Sequence, residues 1–179
     1  EHAAGRRTLD LFCYQGGFSL AALRGGASEA IAVDQSSAAL EELAEAAKAN
    51  GLPLPSTECA DVFDWVRSAR KREERFDLIV LDPPAFAKSR QERDGALRGY
   101  RDLNRYAMRM LAPGGYLLTC SCSHHVTAGL FEGVLRQAAA ELTFPVLMRG
   151  RLGAGADHPV WVSLPETEYL KVVVLQRPS

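Results

Sequence analysis

Short, almost continuously apolar runs alternate with segments of helical period, and that alternation restricts the fold of this chain more than any other feature. The apolar runs fall at about residues 8–13, 28–33, 56–60, 76–82 and 115–121, with further strand candidates at about 145–149 and 169–176. Helical segments at about 17–24, 37–49, 62–74 and 100–111 separate the first five, and another at about 127–141 follows them. Several boundaries have a chemical cause. Ser36 or Ser37 can cap the second helix, and Asn50-Gly51 can end it in the left-handed conformation. Asp61 can cap the third, whose Val62, Trp65, Val66 and Ala69 share one face. Thr127 can cap the fifth, and Pro113-Gly114-Gly115 reads as the turn that ends the fourth. Apolar strands alternating with helices predict a parallel sheet covered on both faces, doubly wound through right-handed crossovers. The last two strands have no helix between them, so one of that pair is expected to run antiparallel.

The 179 residues suit one domain, and 47% are hydrophobic, enough for a sizeable core. Lysine plus arginine is 21 and aspartate plus glutamate 22, giving 21 − 22 = −1. That balance excludes a chain that holds nucleic acid by uniform positive charge. No apolar run reaches the ~18 residues of a membrane helix, and Glu1 to Arg7 contain no secretory apolar core. Four cysteines are too few for a disulfide framework, and their spacing gives no zinc site or other metal centre. A reducing, cytoplasmic setting is expected. Leu9-Asp10-Leu11-Phe12 already reads as a buried strand, so a missing N-terminal part is expected.

Open α/β sheets bind ligands outside the carboxyl ends of their strands. The first strand leads into Cys13-Tyr14-Gln15-Gly16-Gly17-Phe18, where two glycines let the backbone approach a ligand before a helix starts. The second ends at Asp34, a carboxylate placed for ribose hydroxyls. The third ends at Asp61-Val62 and the fourth at Asp82-Pro83-Pro84. Each feature alone also suits a turn or a cap; four in order point to an adenosine-type cofactor. A nicotinamide site wants G-x-G-x-x-G so that a helix N-terminus meets pyrophosphate, and this loop lacks that spacing. S-adenosylmethionine carries no phosphate and needs no such fingerprint. The paired prolines remove two N–H donors and leave loop carbonyls for a polar target beside a methyl donor.

The motifs Asp10-Leu11-Phe12-Cys13-Tyr14-Gln15-Gly16-Gly17-Phe18, Asp82-Pro83-Pro84-Ala85-Phe86 and Thr119-Cys120-Ser121-Cys122-Ser123 stand in order. So do Gly99-Tyr100-Arg101-Asp102-Leu103-Asn104, Ala156-Asp157-His158-Pro159 and Glu168-Tyr169-Leu170-Lys171. Together they resemble the catalytic domain of bacterial 23S ribosomal RNA cytosine-C5 methyltransferases, over nearly the whole chain. The resemblance implies a Rossmann-like class I methyltransferase fold: a mostly parallel seven-stranded sheet with one antiparallel strand near the C-terminus. It implies that residues 1–179 are a catalytic domain without the family's N-terminal PUA domain, acting on large-subunit ribosomal RNA. It carries S-adenosylmethionine binding onto Tyr14, Gly16, Gly17, Phe18, Asp34, Asp61, Val62 and Asp82, and the nucleophile onto Cys122. Cys120 departs from the family's pattern, and the glycine loop departs from the commoner class I D/E-x-G-x-G.

Carbon 5 of cytosine is a poor nucleophile until a thiolate adds to carbon 6, so such a site needs a reactive cysteine, an acid near N3 and a proton acceptor. Cys122 and Asp82 end neighbouring strands and are assigned as the catalytic pair. Cys120 still belongs to the apolar run, whereas Cys122 lies among Ser121, Ser123, His124 and His125, a polar setting expected to favour its thiolate. Cys13 and Cys59 read as small buried hydrophobes. Phe86 is either a base-stacking ring or a core aromatic. Lys88, Arg90, Arg98 and Arg101, with Arg93, follow Asp-Pro-Pro and are candidates for RNA phosphate contacts, or for an ordinary charged loop. Arg67, Arg70, Lys71, Arg72 and Arg75 read as a solvated face. Two alternatives stand beside this reading: methylation of guanine or an exocyclic nitrogen, which needs no cysteine, and a nonenzymatic RNA-binding module retaining the fold.

Overall fold

The computed structural model describes residues 3–87, 89–155 and 159–179. In chain order the elements are β1 (Arg7–Leu11), α1 (Gly17–Arg24), β2 (Glu29–Asp34), α2 (Ser37–Ala49), β3 (Ser56–Cys59), α3 (Val62–Lys71) and β4 (Phe76–Leu81). They continue as α4 (Arg93–Arg109), β5 (Leu111–Ser121), α5 (Ala128–Ala140), β6 (Leu147–Leu152), a 3-10 turn (Pro165–Thr167) and β7 (Lys171–Gln176). The strands form one seven-stranded sheet in the order β3-β2-β1-β4-β5-β7-β6. β7 alone is reversed: it pairs antiparallel with β5 on one side and β6 on the other. This is the Rossmann-like, doubly wound architecture with one antiparallel strand that the alternation predicts.

The caps act as expected. Ser36 accepts from the Ala39 N–H, Asp61 from Asp64 and Thr127 from Leu130. Three boundaries differ. α4 starts at Arg93 rather than near residue 100, because Ala96, Tyr100, Leu103 and Ala107 form a buried stripe that overrides the low helix propensity of Gly95 and Gly99. Pro113-Gly114-Gly115 is not the end of a helix but a bulge within β5. Phe76 pairs with Leu111 and Leu78 with Tyr116, so the extra residues loop out between them. β6 lies a few residues later than expected.

Coverage of the sheet is uneven, and the expectation of two covered faces is corrected. The main core packs α3, α4 and α5 on one face, with Val66, Tyr100, Leu103, Met108 and Phe131 buried against Leu9, Leu11, Ile79, Leu81 and Leu117. The other face carries α1 and α2, where Leu40 and Leu43 meet Cys13 and Ala32. Over β4, β5 and β7 that second face is open. A groove of about 580 Å³ there is lined by Leu78, Val80, Tyr116, Leu118 and Val174, with Phe18 and Ala22 of α1 at its side. The edge strand β3 is exposed throughout. Cys59 is therefore exposed, not buried as its residue type suggested, whereas Cys13 is buried.

One buried carboxylate joins β1 to α1. The N-cap of α1, Gly16, has no side chain to cap with. Asp10 replaces it from the strand: one carboxylate oxygen accepts from the Ser19 N–H at 3.0 Å and from its hydroxyl at 2.8 Å. The other oxygen has no hydrogen-bond partner among the described residues. Burial pushes the Asp10 carboxyl up to about 6; the Ser19 hydrogen bonds pull it down, and nearby Asp82 and Asp34 push it further up. Its folded value is thus above the ordinary ~3.9 of an unfolded chain. The protonated form favours the fold fully below about pH 4, and that contribution is lost as pH rises through about 6. Asp10→Asn keeps an acceptor without the charge. Urea titrations from pH 4 to 7 should show the wild type losing roughly 2–3 kcal/mol relative to Asp10→Asn across this window. A pH-independent offset between the two would refute it.

Candidate active site

The sheet order places five strand ends in a row: β3, β2, β1, β4 and β5. Hydrogen bonds continue past the strands and hold the row together. Ala60 N–H donates to Asp34 O at 3.0 Å, Cys13 N–H to Val33 O at 3.1 Å, and Asp82 N–H to Leu11 O at 3.3 Å. The order reverses between β1 and β4, the place where open α/β sheets receive their ligands at the carboxyl ends of the strands.

The loop after β1 is tightly wound. Phe12, Tyr14 and Gly16 have φ of 61°, 48° and 73°, and the first two are unusual for residues with side chains. Asp34 holds this shape: one carboxylate oxygen accepts from the Tyr14 N–H and the other from the Ser36 N–H, both at 2.9 Å. A Cβ on Gly16 would lie 2.1 Å from a methyl of Leu43, so packing of α2 demands glycine there. A Cβ on Gly17 would meet nothing within 4 Å, so Gly17 faces open space at the start of α1. Tyr14 and Phe18 are exposed beside it. Asp61 serves as the exposed cap of α3, and Val62 is buried in the core.

On the other side of the reversal stand Asp82 and two cysteines. Burial raises the Asp82 carboxyl above the usual range, while a hydrogen bond from the Cys120 thiol pulls it down. Cys120 is buried; burial and the facing Asp82 push its thiol far up. Cys122 is half-buried, and its thiol meets the Pro83 carbonyl at 3.7 Å. Burial raises the Cys122 thiol too, followed by Asp82; its own backbone N–H and Lys171 pull it down. The expectation that polar neighbours alone favour its thiolate is corrected: half-burial and a facing carboxylate outweigh them. Asp82 and Cys120 influence one another's proton affinity, a pairing that residue spacing did not suggest.

Ser123 fixes the turn that carries Cys122. It is fully buried, and its hydroxyl takes the Ala87 N–H at 3.3 Å and meets the Tyr100 hydroxyl at 3.0 Å. Its carbonyl accepts from the Lys171 ammonium at 2.7 Å. The loop after β4, helix α4 and strand β7 are thereby tied to one residue. Ser123, Tyr100 and Lys171 had no assigned role, although each lies in a motif quoted above.

Phe86 is packed between rings. Tyr100, Phe63 and Phe12 lie at centroid distances of 4.8, 6.0 and 6.3 Å, which suits the core role of the two considered. Arg90 is exposed, and Lys88 lies outside the described residues, as do Ala156, Asp157 and His158. Arg98 and Arg101 line a groove between α4 and α5 with Gly129 and Gly133, and Arg101 meets Asp102 at 3.4 Å. Among the described residues no cluster of histidine, cysteine and carboxylate side chains is placed to hold a metal.

Residues 1–151 match the sequence family described as S-adenosylmethionine-dependent methyltransferase. The chain is 46% identical over 173 residues to the ribosomal RNA large subunit methyltransferase I of Photobacterium profundum, covering 96% of this chain and 44% of that protein. The protein of the same name from Aeromonas hydrophila is 42% identical over 178 residues, with 98% and 45% covered. The chain thus spans under half the length of these relatives. A candidate S-adenosylmethionine-dependent methyltransferase from Streptococcus mutans superimposes with a TM-score of 0.84 at 26% identity, over 97% of this chain and 45% of its own. SMU.776, a candidate methyltransferase crystallised with S-adenosylhomocysteine, gives the same TM-score and identity over 97% of this chain and 46% of its own.

The Ser123 turn is testable by stability. Ser123→Ala leaves the Tyr100 hydroxyl and the Ala87 N–H without this partner in a buried place. Each unsatisfied group costs about 1–3 kcal/mol, so urea unfolding should show a loss of at least 1 kcal/mol. A variant as stable as the wild type would mean that Ser123 does not tie these elements together.

Proposed function

The chain belongs to the S-adenosylmethionine-dependent methyltransferases, and from that premise we propose that it methylates carbon 5 of a cytosine in large-subunit ribosomal RNA through a covalent bond to Cys122. The observation that carries this reading is the half-buried Cys122 just past the carboxyl end of β5, with the half-buried Asp82, whose carboxyl burial raises, at the end of the neighbouring β4. The names of the two curated relatives support the choice of RNA. The substrate would place the reaction in the cytoplasm, and among the described residues no helix is long and apolar enough to cross a membrane.

The residues of the first two strand ends fit the methyl donor. Asp34 uses each carboxylate oxygen once, for Tyr14 and Ser36, and each oxygen keeps acceptor capacity for a ribose hydroxyl. Gly17 leaves open space, flanked by the exposed Tyr14 and Phe18. Asp61, Val62 and Asp82 complete the proposed set. When bound, S-adenosylmethionine supplies the methyl group that carbon 5 takes. Before that, the Cys122 thiolate forms a bond to carbon 6, and the displaced electron pair moves through the ring to N3. Asp82 is suited to give N3 its proton, because burial keeps that proton on the carboxyl at higher pH than usual. Afterwards a base removes the carbon-5 proton, the ring double bond re-forms, the carbon–sulfur bond breaks to return the thiolate, and N3 returns its proton.

Nitrogen methylation is the second reading, and the raised Cys122 thiol favours it, since a nucleophile needs the thiolate. RNA carrying 5-fluorocytosine decides between them, because the C–F bond blocks proton loss and traps the covalent species. Wild type and Cys120→Ala should form the adduct, and Cys122→Ala should not. Methylation of normal RNA without any trapped adduct would sink the covalent reading. The donor site has its own test by calorimetry. Asp34→Ala removes charge-assisted hydrogen bonds worth roughly 1.5–3 kcal/mol, so S-adenosylmethionine should bind the folded variant at least about tenfold more weakly. Equal affinity would move the ribose away from Asp34.

A further inference from the structure

The motif Glu168-Tyr169-Leu170-Lys171 has no part in the chemistry above, yet β7 brings its last residue to the reactive end of β5. The antiparallel register pairs Lys171 with Ser121, one residue before Cys122. Its ammonium donates to the carbonyl of Ser123, one residue after Cys122, at 2.7 Å. The side chain therefore spans the turn that displays the thiol, from one flank to the other. Lys171 is half-buried, and no carboxylate forms an ion pair with it among the described residues. One ammonium proton is used on a neutral carbonyl, and the ammonium offers three.

We propose that Lys171 is a positioning residue for the methyl-transfer site: its ammonium, anchored on the Ser123 carbonyl, stabilises negative charge on the Cys122 sulfur. The inference rests on the reading of Cys122 as nucleophile. The surroundings leave this task to Lys171. Asp82, at the end of β4, opposes a negative sulfur, and Cys120 is itself held protonated by burial, Asp82 and Cys122. Tyr100, from α4, is a hydroxyl whose own ionisation Cys122 opposes. His124 and His125 follow in the loop, where His124 stacks on Tyr169 at 5.2 Å. Among the described residues Lys171 is the cation that acts on Cys122, and the influence is mutual: burial lowers the lysine while Cys122 raises it. A charged pair in a partly dry crevice is stabilised far more than in water. The same charge, with the lysine held still by the carbonyl, would also make Cys122 a better leaving group when the carbon–sulfur bond breaks.

The test reads the thiol directly. Alkylation of Cys122 by iodoacetamide is followed by peptide mass spectrometry from pH 6 to 10, in a Cys59→Ser background that silences the other exposed cysteine. Lys171→Gln removes the charge but keeps an amide that can donate to the Ser123 carbonyl; Lys171→Arg keeps the charge. Lys171→Gln should move the alkylation midpoint up by about one pH unit or more and slow the reaction at pH 7.5 about tenfold. Lys171→Arg should retain a midpoint near that of wild type. A purely structural lysine would leave the midpoint where it is, and an unchanged midpoint in folded Lys171→Gln would overturn the inference. Should Lys171→Gln fail to fold, the arginine variant carries the test, because a midpoint shifted up from that of wild type with the charge retained would equally overturn it. The 5-fluorocytosine adduct separates the two ideas. No adduct in wild type removes the nucleophile reading, whereas an unshifted midpoint with the adduct intact removes only the role of Lys171.

Discussion

β1 is hydrogen-bonded to β2 along one edge and to β4 along the other, and this double pairing governs everything at the reactive end of the molecule. The chain leaves β1 in one direction to build β2 and β3, then returns to the other side to build β4 and β5. Loops leaving β1 and β4 must therefore diverge, and a crevice opens between them without any special loop sequence. Pairing in register aligns Leu11 with both Val33 and Leu81, so the strands finish at the same height. The opposite end of the same strand is tied by charge. There Arg7 binds Glu29 and Glu74 and lies 4.4 Å from the ring centre of Phe76, an ionic clamp across β2, β1 and the start of β4. One strand thus has a structural end and a chemical end.

The acids of this region show how differently one residue type behaves. Asp34 has both oxygens on backbone N–H groups and stays near the surface. Asp10 has one oxygen doubly bonded to Ser19 and the other without a partner in the dry interior. Asp82 lies between, half-buried, with the Cys120 thiol as its neighbour. Burial raises the carboxyls of Asp10 and Asp82 alike, because removing water disfavours the charged form. The cysteine at position 120 fits this account as a buried thiol kept protonated by burial and the nearby Asp82.

Much of this was legible in the residues. Element order, the reversed strand near the C-terminus and the caps at Ser36, Asp61 and Thr127 follow from periodicity and local hydrogen-bonding chemistry. So does the row of strand ends bearing Asp34, Asp82 and Cys122. What stayed hidden depended on pairs far apart in the chain. The start of α4 at Arg93 is set by packing beneath it, against which Gly95 and Gly99 argued locally. The bulge at Pro113-Gly114-Gly115 needs β4 as its partner, and read alone it is a turn. Cys59 is exposed because β3 is the edge of the sheet, which composition does not reveal. The partners of Ser123, namely Ala87, Tyr100 and Lys171, are 23 to 48 residues away or more closely spaced only through the fold.

β7 is the last strand in sequence, yet it lies between β5 and β6. During synthesis from the N-terminus, residues 171–176 emerge after every other strand of the sheet has been made. Until then β5 presents an unpaired edge, and β6 has no strand to join it to the sheet. The ammonium of Lys171 is likewise missing from the turn at Cys122. The nascent chain can assemble the glycine loop and the Asp34 contacts early, but the surroundings of its thiol close only when β7 slots into the gap. Order of translation thus separates the two halves of this end of the sheet in time: the glycine loop and Asp34 are made early, and the turn at Cys122 acquires its final neighbours only with β7.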